Sequence, residues 1–344
     1  MQPNINLLKP LVSIVITSFN RGHLIEKAIQ STIDQDYENL EIIISDNCSQ
    51  DNTNDIVEKF LDDPRIRFFQ NEENIGMIKN FEHSSFTLAS GELISFVSSD
   101  DFLINPSFIS DAVKAFNSYP NIGIVHACNL AIDSSGNTPE QDYSYIFYQN
   151  TFYKADYVSG REVFNSYPKC HSISFGGSVF KRDDLKQIKP FIEGIYSFDV
   201  CLSLQLIQKY NVCFIDKNTY VVRRHGENYT STIDDVDIYF NNLRYIDIPF
   251  DRAILNQFDS EKKLTKWKNR MYVYYFFQIS LAFFSISDEQ YAACINFLKK
   301  NNPNAYRQLI FSPKFYFYKL LKVSKLISLL VSFAFKLKYW LRGV

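Results

Sequence analysis

No two cysteines in this chain stand at C-x-x-C spacing; Cys48, Cys128, Cys170, Cys201, Cys213 and Cys294 are scattered. That pattern argues against a zinc knuckle and a disulfide framework, and it suits a reducing compartment. The first strand-to-helix turn has no G-x-G-x-x-G, and nowhere is there a G-x-x-x-x-G-K-[ST]. Neither the dinucleotide fingerprint nor the P-loop is therefore supported. The N-terminus, Met-Gln-Pro-Asn-Ile-Asn, lacks a basic n-region and a long apolar stretch, so no secretory signal is read there. Near the C-terminus the longest uncharged, largely apolar run is 326–335, about half of what a spanning helix needs. Acidic residues are also missing there. Residues 290–344 hold ten of the 36 basic side chains and none of the 38 acidic ones. Such a split suggests a tail addressing an anionic surface. The expectation is a cytoplasmic protein resting on the inner face of a membrane through residues 314–344 without crossing it.

What is present is globular. The chain has 344 residues, 46% of them apolar and 22% charged, with 31 Phe and 22 Tyr, enough for a large core. Residues 11–17 form a β-branched run fit for a buried parallel strand. A helix follows, with Leu24, Ile25, Ala28, Ile29 and Ile33 on one face. Further strands are read at 40–45, 65–69, 93–97 and 122–128, alternating with helices at about 55–61, 74–89 and 106–116. Asn105-Pro106 signals the start of the last of these. Strands alternating with amphipathic helices predict βαβ units and a mostly parallel sheet.

Parallel strands present their carboxyl ends on one side, where ligands bind in open α/β sheets. Polar groups stand at three of these ends: Asn20 and Arg21, Asp46, and the adjacent pair Asp100 and Asp101. Two neighbouring carboxylates repel unless a cation or a proton lies between them. A divalent metal holding substrate phosphates is one reading of the pair; a solvated turn capping the next helix is the other. Beyond residue 129 come an irregular, Tyr-rich stretch at 133–159, a Gly-Gly element at 175–180 and a helix at 198–210 with Asp199 at its head. Two strands follow at 211–216 and 219–224, and then His225. From about residue 233 the pattern is helical.

In four blocks the chain resembles the family 2 glycosyltransferases with the GT-A fold. They are Val12-Ser13-Ile14-Val15-Ile16-Thr17-Ser18-Phe19-Asn20-Arg21, Ile44-Ser45-Asp46-Asn47-Cys48-Ser49-Gln50-Asp51, Asn74-Ile75-Gly76 and Ser98-Ser99-Asp100-Asp101. The resemblance covers roughly residues 10–230, in the family's order and spacing. It implies an α/β GT-A domain over 1–230, with a nucleotide-sugar half at about 10–128 and an acceptor half at 129–230. A helical C-terminal region would occupy 231–344. It also implies a nucleotide-sugar donor, a glycan or lipid-linked acceptor, a divalent metal (Mn²⁺ or Mg²⁺) and inversion at the anomeric carbon.

Residue by residue, the resemblance gives Thr17, Phe19, Asn20, Arg21, Asp46, Asn74, Gly76, Lys79, Ser99 and Asp100 to the nucleotide sugar. Asp46 would accept from the imide N–H of the base. Asp100, Asp101 and His225 would hold the metal, and His225 is otherwise a structural histidine. Gly176, Gly177 and Ser178 would line the acceptor side. Asp199 would be the general base; a first-turn helix cap is the plainer reading. The family often has Asp where Ser98 stands, a second Asp where Asn47 stands, and Glu where Phe198 stands. Basic residues among aromatics can also mark nucleic-acid binding, but the acidic catalytic half and the lack of any RNA-binding motif rank that reading below a membrane surface. A nucleotidyltransferase would need a basic, Gly-rich loop where Ser18–Gly22 offers only Arg21. A non-catalytic glycan- or nucleotide-binding scaffold stays open at this point.

Overall fold

A computed structural model describes residues 9–133, 136, 156–168, 173–188, 191, 192, 194, 195, 197–226, 243–282, 288–313, 315 and 316. The chain divides into two units, residues 1–234 with 251–258, and residues 235–250 with 259–344.

The first unit is built on one nine-stranded sheet. Strands β1 (Val12–Ser18), β2 (Leu40–Asp46), β3 (Ile66–Gln70) and β4 (Leu93–Ser98) pair in parallel, with β1 between β2 and β4. Val12, Ile14, Ile16, Ile42 and Ile44 are fully buried, as apolar runs covered on both faces must be. Helix α1 (Gly22–Ile33) lays Ile25, Ala28 and Ile29 on that layer. Helices α2 (Thr53–Glu58), α3 (Met77–His83) and α4 (Phe108–Ser118) complete the crossovers. A π-helical turn, Ser84–Leu88, extends α3.

The other strands are β5 (Phe102–Leu103), β6 (Ile122–Ile132), β7 (Tyr157–Val158), β8 (Ser178–Lys181) and β9 (Asn211–Arg223). Here the structure departs from the sequence reading. Strand β8, at the end of the Gly-Gly element, inserts antiparallel between β4 and β6. The stretch read as two strands at 211–216 and 219–224 is one strand, β9, which runs parallel to β6 through irregular register near residues 127–129. The two-residue β5, pairing antiparallel with β9, was not anticipated. Two antiparallel steps across β8 restore the original direction, so β6 and β9 run the same way as β1–β4. The exits of β1, β2, β4 and β9 consequently share one edge of the sheet.

The opposite edge is tied by a buried carboxylate. Glu41 accepts from Ser13 Oγ (2.6 Å), Ser90 N (2.5 Å), Gly91 N (3.1 Å) and Arg67 Nη1 (3.0 Å). Burial alone would raise its pKa, but the hydrogen bonds from Ser13, Ser90 and Arg67 outweigh burial and hold it below the usual value. A depressed carboxylate contributes stability above its unfolded-state pKa, and that contribution is lost as pH falls through the folded one. Glu41→Ala strands several buried donors and is expected to cost about 3 kcal/mol at pH 7, read from the urea midpoint. The cost should shrink below about pH 4.

Helices α5 (Gly160–Ser166), α6 (Arg182–Ile188) and α7 (Phe198–Leu206) complete this unit's described helices up to residue 226. The second unit is helical. It comprises the first part of α8 (Arg244–Leu255), then α9 (Glu261–Ala282), α10 (Asp288–Asn301) and α11 (Pro303–Ile310). Tyr272 Oη donates to the Asp247 carboxylate, and Lys268 Nζ lies 2.7 Å from it. Asn302 caps α11 by accepting from Ala305 N, with Pro303 in the first turn. Among the described residues no helix is long and apolar enough to cross a membrane. Most of the basic tail, residue 314 and residues 317–344, lies outside the described residues, as does most of the expected connection at 133–159.

Candidate active site

The exits of β1 and β2 are clamped together. Asn20 adopts a left-handed φ of 52°, which Asn tolerates better than most residues. Its backbone N donates to Ser49 Oγ (2.7 Å), and its side-chain oxygen accepts from Gln50 N (2.8 Å). Arg21 N donates to Thr53 Oγ1 and Gly22 N to Asp51 Oδ2. With the loop fixed in this way, the Phe19 ring is left 41% exposed and Thr17 half-buried at the strand end. Asp46 is different. It is fully buried, and its carboxylate accepts from Ser49 N, Ser49 Oγ and Gln70 Nε2. The side chain expected to read a base is thus turned into its own loop, because Ser49, three residues on, satisfies it there.

Asn47, next along, is a hub. Its Nδ2 donates to Asn74 Oδ1 (2.8 Å), and its Oδ1 accepts from Asn71 Nδ2 and Ile75 N (3.0 Å each). Asn74 Oδ1 also accepts from Gly76 N. Gly76 has φ 86° with open space around its Cα, so glycine is required there by backbone conformation and not by crowding. Asn74, Gly76 and Lys79 are all exposed beside this anchored loop.

After β4 the chain turns at Ser98-Ser99-Asp100-Asp101, with Asp101 N donating to Ser98 O (2.9 Å). Ser99 is buried. The adjacent carboxylates point apart. Asp100 Oδ2 lies 3.3 Å from His225 Nε2, just past the end of β9, and both side chains are partly open to solvent. Asp101 points inward: its Oδ2 accepts from Tyr220 Oη (2.8 Å) and its Oδ1 from Arg223 N (2.9 Å). Burial, and then the neighbouring Asp100 charge, push the Asp101 carboxyl up to about 8. The expected three-residue metal set is therefore divided, with Asp100 and His225 together and Asp101 behind them. Among the described residues no group of three or more His, Cys, Asp or Glu is placed to hold a metal ion. Two still fit one. A carboxylate oxygen and an imidazole nitrogen at this separation suit neighbouring corners of an octahedral ion, about 3 Å apart for bonds near 2.1 Å.

Asp199 stands in the first turn of α7 and accepts from Val200 N (2.8 Å). Burial pushes its carboxyl up to about 6 against the backbone N–H groups of Val200, Asp199 and Phe175. Beneath it lies a ring cluster. Phe198 packs on Phe175 (5.1 Å between centroids), Phe81 (5.6 Å) and Phe191 (6.0 Å), and Phe175 stacks on Phe96 of β4 at 4.4 Å. The aromatic residue at position 198 thus moors the helix that carries Asp199 next to β4, the strand that leads into the Asp100 turn.

The Gly-Gly element does permit close approach, here by protein groups. A Cβ on Gly176 would meet the Tyr220 ring at 2.3 Å, and one on Gly177 would meet Asn129 Oδ1 at 2.4 Å. Ser178 is fully buried, its Oγ 2.7 Å from His126 Nδ1. Gly177 and Ser178 are interior, and partly buried Gly176 packs on Tyr220. Sequence reasoning missed Tyr220 and Arg223, and it gave no site role to Asn47. The last had a signal, an Asn beside Asp46 facing an Asn-rich loop; the other two lie in an unremarkable strand.

A family model described as glycosyl transferase family 2 matches residues 13–189. A Campylobacter jejuni GalNAc(5)-diNAcBac-PP-undecaprenol beta-1,3-glucosyltransferase is 30% identical over 208 residues, 58% of this chain and 60% of that protein. The match thus spans under two thirds of that relative's length. The fold resembles that of S. aureus TarS, solved with UDP-GlcNAc: TM-score 0.66 and 18% identity, covering 86% of this chain and 82% of that one. It also resembles the mannosyltransferase PcManGT from Pyrobaculum calidifontis, solved with GDP-Man and Mn²⁺: TM-score 0.53 and 15% identity, covering 94% and 86%. With the strand exits gathered on one edge and the family match spanning more than half of the sequence, the chain belongs to glycosyltransferase family 2, with the GT-A fold.

Proposed function

We propose that this chain transfers a sugar from a UDP-sugar to a hydroxyl of a lipid-linked glycan, with inversion, by a metal-assisted in-line displacement. The observation that carries the reading is the pairing of Asp100 with His225 at the edge shared by the β1 and β2 exits. Asp199, a separate carboxylate raised by burial, supports it.

In this reading the exposed Phe19 ring stacks on the base, and Thr17, Asn20 and Arg21 line the nucleoside cleft. Asp46 holds the loop in shape from inside. Asn74, Gly76 and Lys79 flank the donor on the β3–α3 side, with Ser99 in the turn beneath. Asp100 and His225 are the residues that would hold Mn²⁺ or Mg²⁺ together with the donor's diphosphate. When bound there, such an ion would offset the negative charge that develops on the departing diphosphate. Asp199 takes the acceptor's proton as its oxygen attacks, and a pKa near 6 lets it do so as a carboxylate at neutral pH. A single displacement needs only one such base.

The basic tail, 314–344, lies against the anionic inner face of a membrane, where a lipid-linked acceptor is presented. The supporting observation is the lack of any acidic residue beyond Glu289. The test is a screen of sugar nucleotides with and without Mn²⁺, scored by thermal shift and by release of nucleoside diphosphate. UDP-sugars are expected to respond in a metal-dependent way. A response only to guanosine sugars, or none that depends on metal, would refute the donor assignment.

A further inference from the structure

Residues of β9 hold the turn that carries Asp100 at several points. Tyr220, 2% exposed, donates from Oη to Asp101 Oδ2 (2.8 Å) and accepts from Ser98 N (3.1 Å). One phenol thereby grips both ends of the four-residue turn. Three residues on, Arg223 N donates to the other oxygen of Asp101. The Arg223 guanidinium donates through Nε to Asp100 O and through Nη2 to Leu24 O (2.8 Å), and lies over the Phe102 ring. Two further residues along the same strand exit comes His225, the partner of Asp100. The ring of Tyr220 has little room to move, because the backbone at Gly176 lies so close that even one methyl group would collide with it.

We infer that Tyr220 is a positioning residue for the divalent-cation site. With Asp101 as its buried anchor, it sets the angle at which Asp100 faces His225. The inference rests on the proposed metal site and assigns the Gly176–Tyr220 contact to that site's support. Residues one shell behind a metal ligand commonly change metal affinity about 10–100-fold when removed.

The experiment uses the full chain with saturating UDP. Mn²⁺ is titrated in, and free Mn²⁺ is followed by its electron paramagnetic resonance signal. The unsubstituted chain is expected to bind one Mn²⁺. Tyr220→Phe keeps the ring and removes only the hydroxyl; it should weaken Mn²⁺ about 10-fold. UDP affinity without metal should be unchanged, and turnover should recover at high Mn²⁺. Gly176→Ala, which displaces the ring from the other side, should weaken Mn²⁺ in the same direction. If Tyr220→Phe binds Mn²⁺ as tightly as the unsubstituted chain, the inference is overturned while the metal site stands. If the unsubstituted chain binds none, the metal reading is overturned and this inference with it. A uniform fall in kcat that excess Mn²⁺ does not restore would also overturn it.

Discussion

Asp199→Asn is expected to lower kcat by about 10²–10⁴-fold while leaving UDP-sugar affinity unchanged. A sugar hydroxyl is a poor nucleophile at neutral pH, and an amide cannot accept its proton in the transition state. The substitution keeps the size of the side chain and an oxygen that can accept from Val200 N, so the head of α7 should hold. Two further signatures separate a base from a helix cap. The first is the acid limb of kcat/KM, which should fall as pH drops through about 6, where burial has placed the Asp199 pKa. The limb should vanish in the variant.

The second signature is stability. The folded pKa lies above the unfolded value, so the folded state holds this proton more tightly. Stability is therefore highest below the unfolded value of about 3.9, and it declines until the carboxylate is fully ionised above about pH 6. At pH 7.5 Asn escapes that penalty, and the variant should melt at the same temperature or higher. Loss of turnover with no loss of stability is the pattern of a site residue that trades stability for function. A drop in melting temperature alongside normal turnover would identify Asp199 as a cap.

The second large effect divides two neighbouring residues. Asp100→Asn should abolish metal-dependent turnover, by about 10³-fold or more, with little change in the melting temperature. The Asp100 side chain is partly open to solvent and faces His225. Asp101→Ala should act through the fold. It leaves Tyr220 Oη and Arg223 N without the carboxyl group that receives them, at a cost of about 2–4 kcal/mol. Urea unfolding with Mn²⁺ binding checks both. Should Asp101→Ala unfold like the unsubstituted chain and still lose Mn²⁺, Asp101 is a ligand and the inward orientation is not the working one.

Much of the first unit is legible in the sequence, because helix and parallel strand are local patterns. Ile25, Ala28 and Ile29 sit on one face by their spacing, and the largely apolar, β-branched run 12–16 fits a strand covered on both sides. Strand β8 is not legible in this way. Its four residues, Ser178–Lys181, show no period that gives direction, and only pairing with β4 and β6 makes it antiparallel. The glycines at 176 and 177 announced a close approach, but nothing nearby in sequence names Tyr220 and Asn129 as what they approach. Likewise Asp46 at a strand end suggests an open ligand contact until Ser49 folds back on it.

By itself the sequence determined an α/β sheet whose strand exits collect polar residues, since periodicity sets each strand and a shared direction puts the exits together. Only the tertiary structure decided which of two adjacent carboxylates faces outward. Asp100 and Asp101 are chemically identical and sit side by side in the chain. What separates them is Tyr220 and Arg223, more than a hundred residues away, which draw one into the interior and leave the other at the rim. A choice made by contacts so distant leaves no trace in the local pattern.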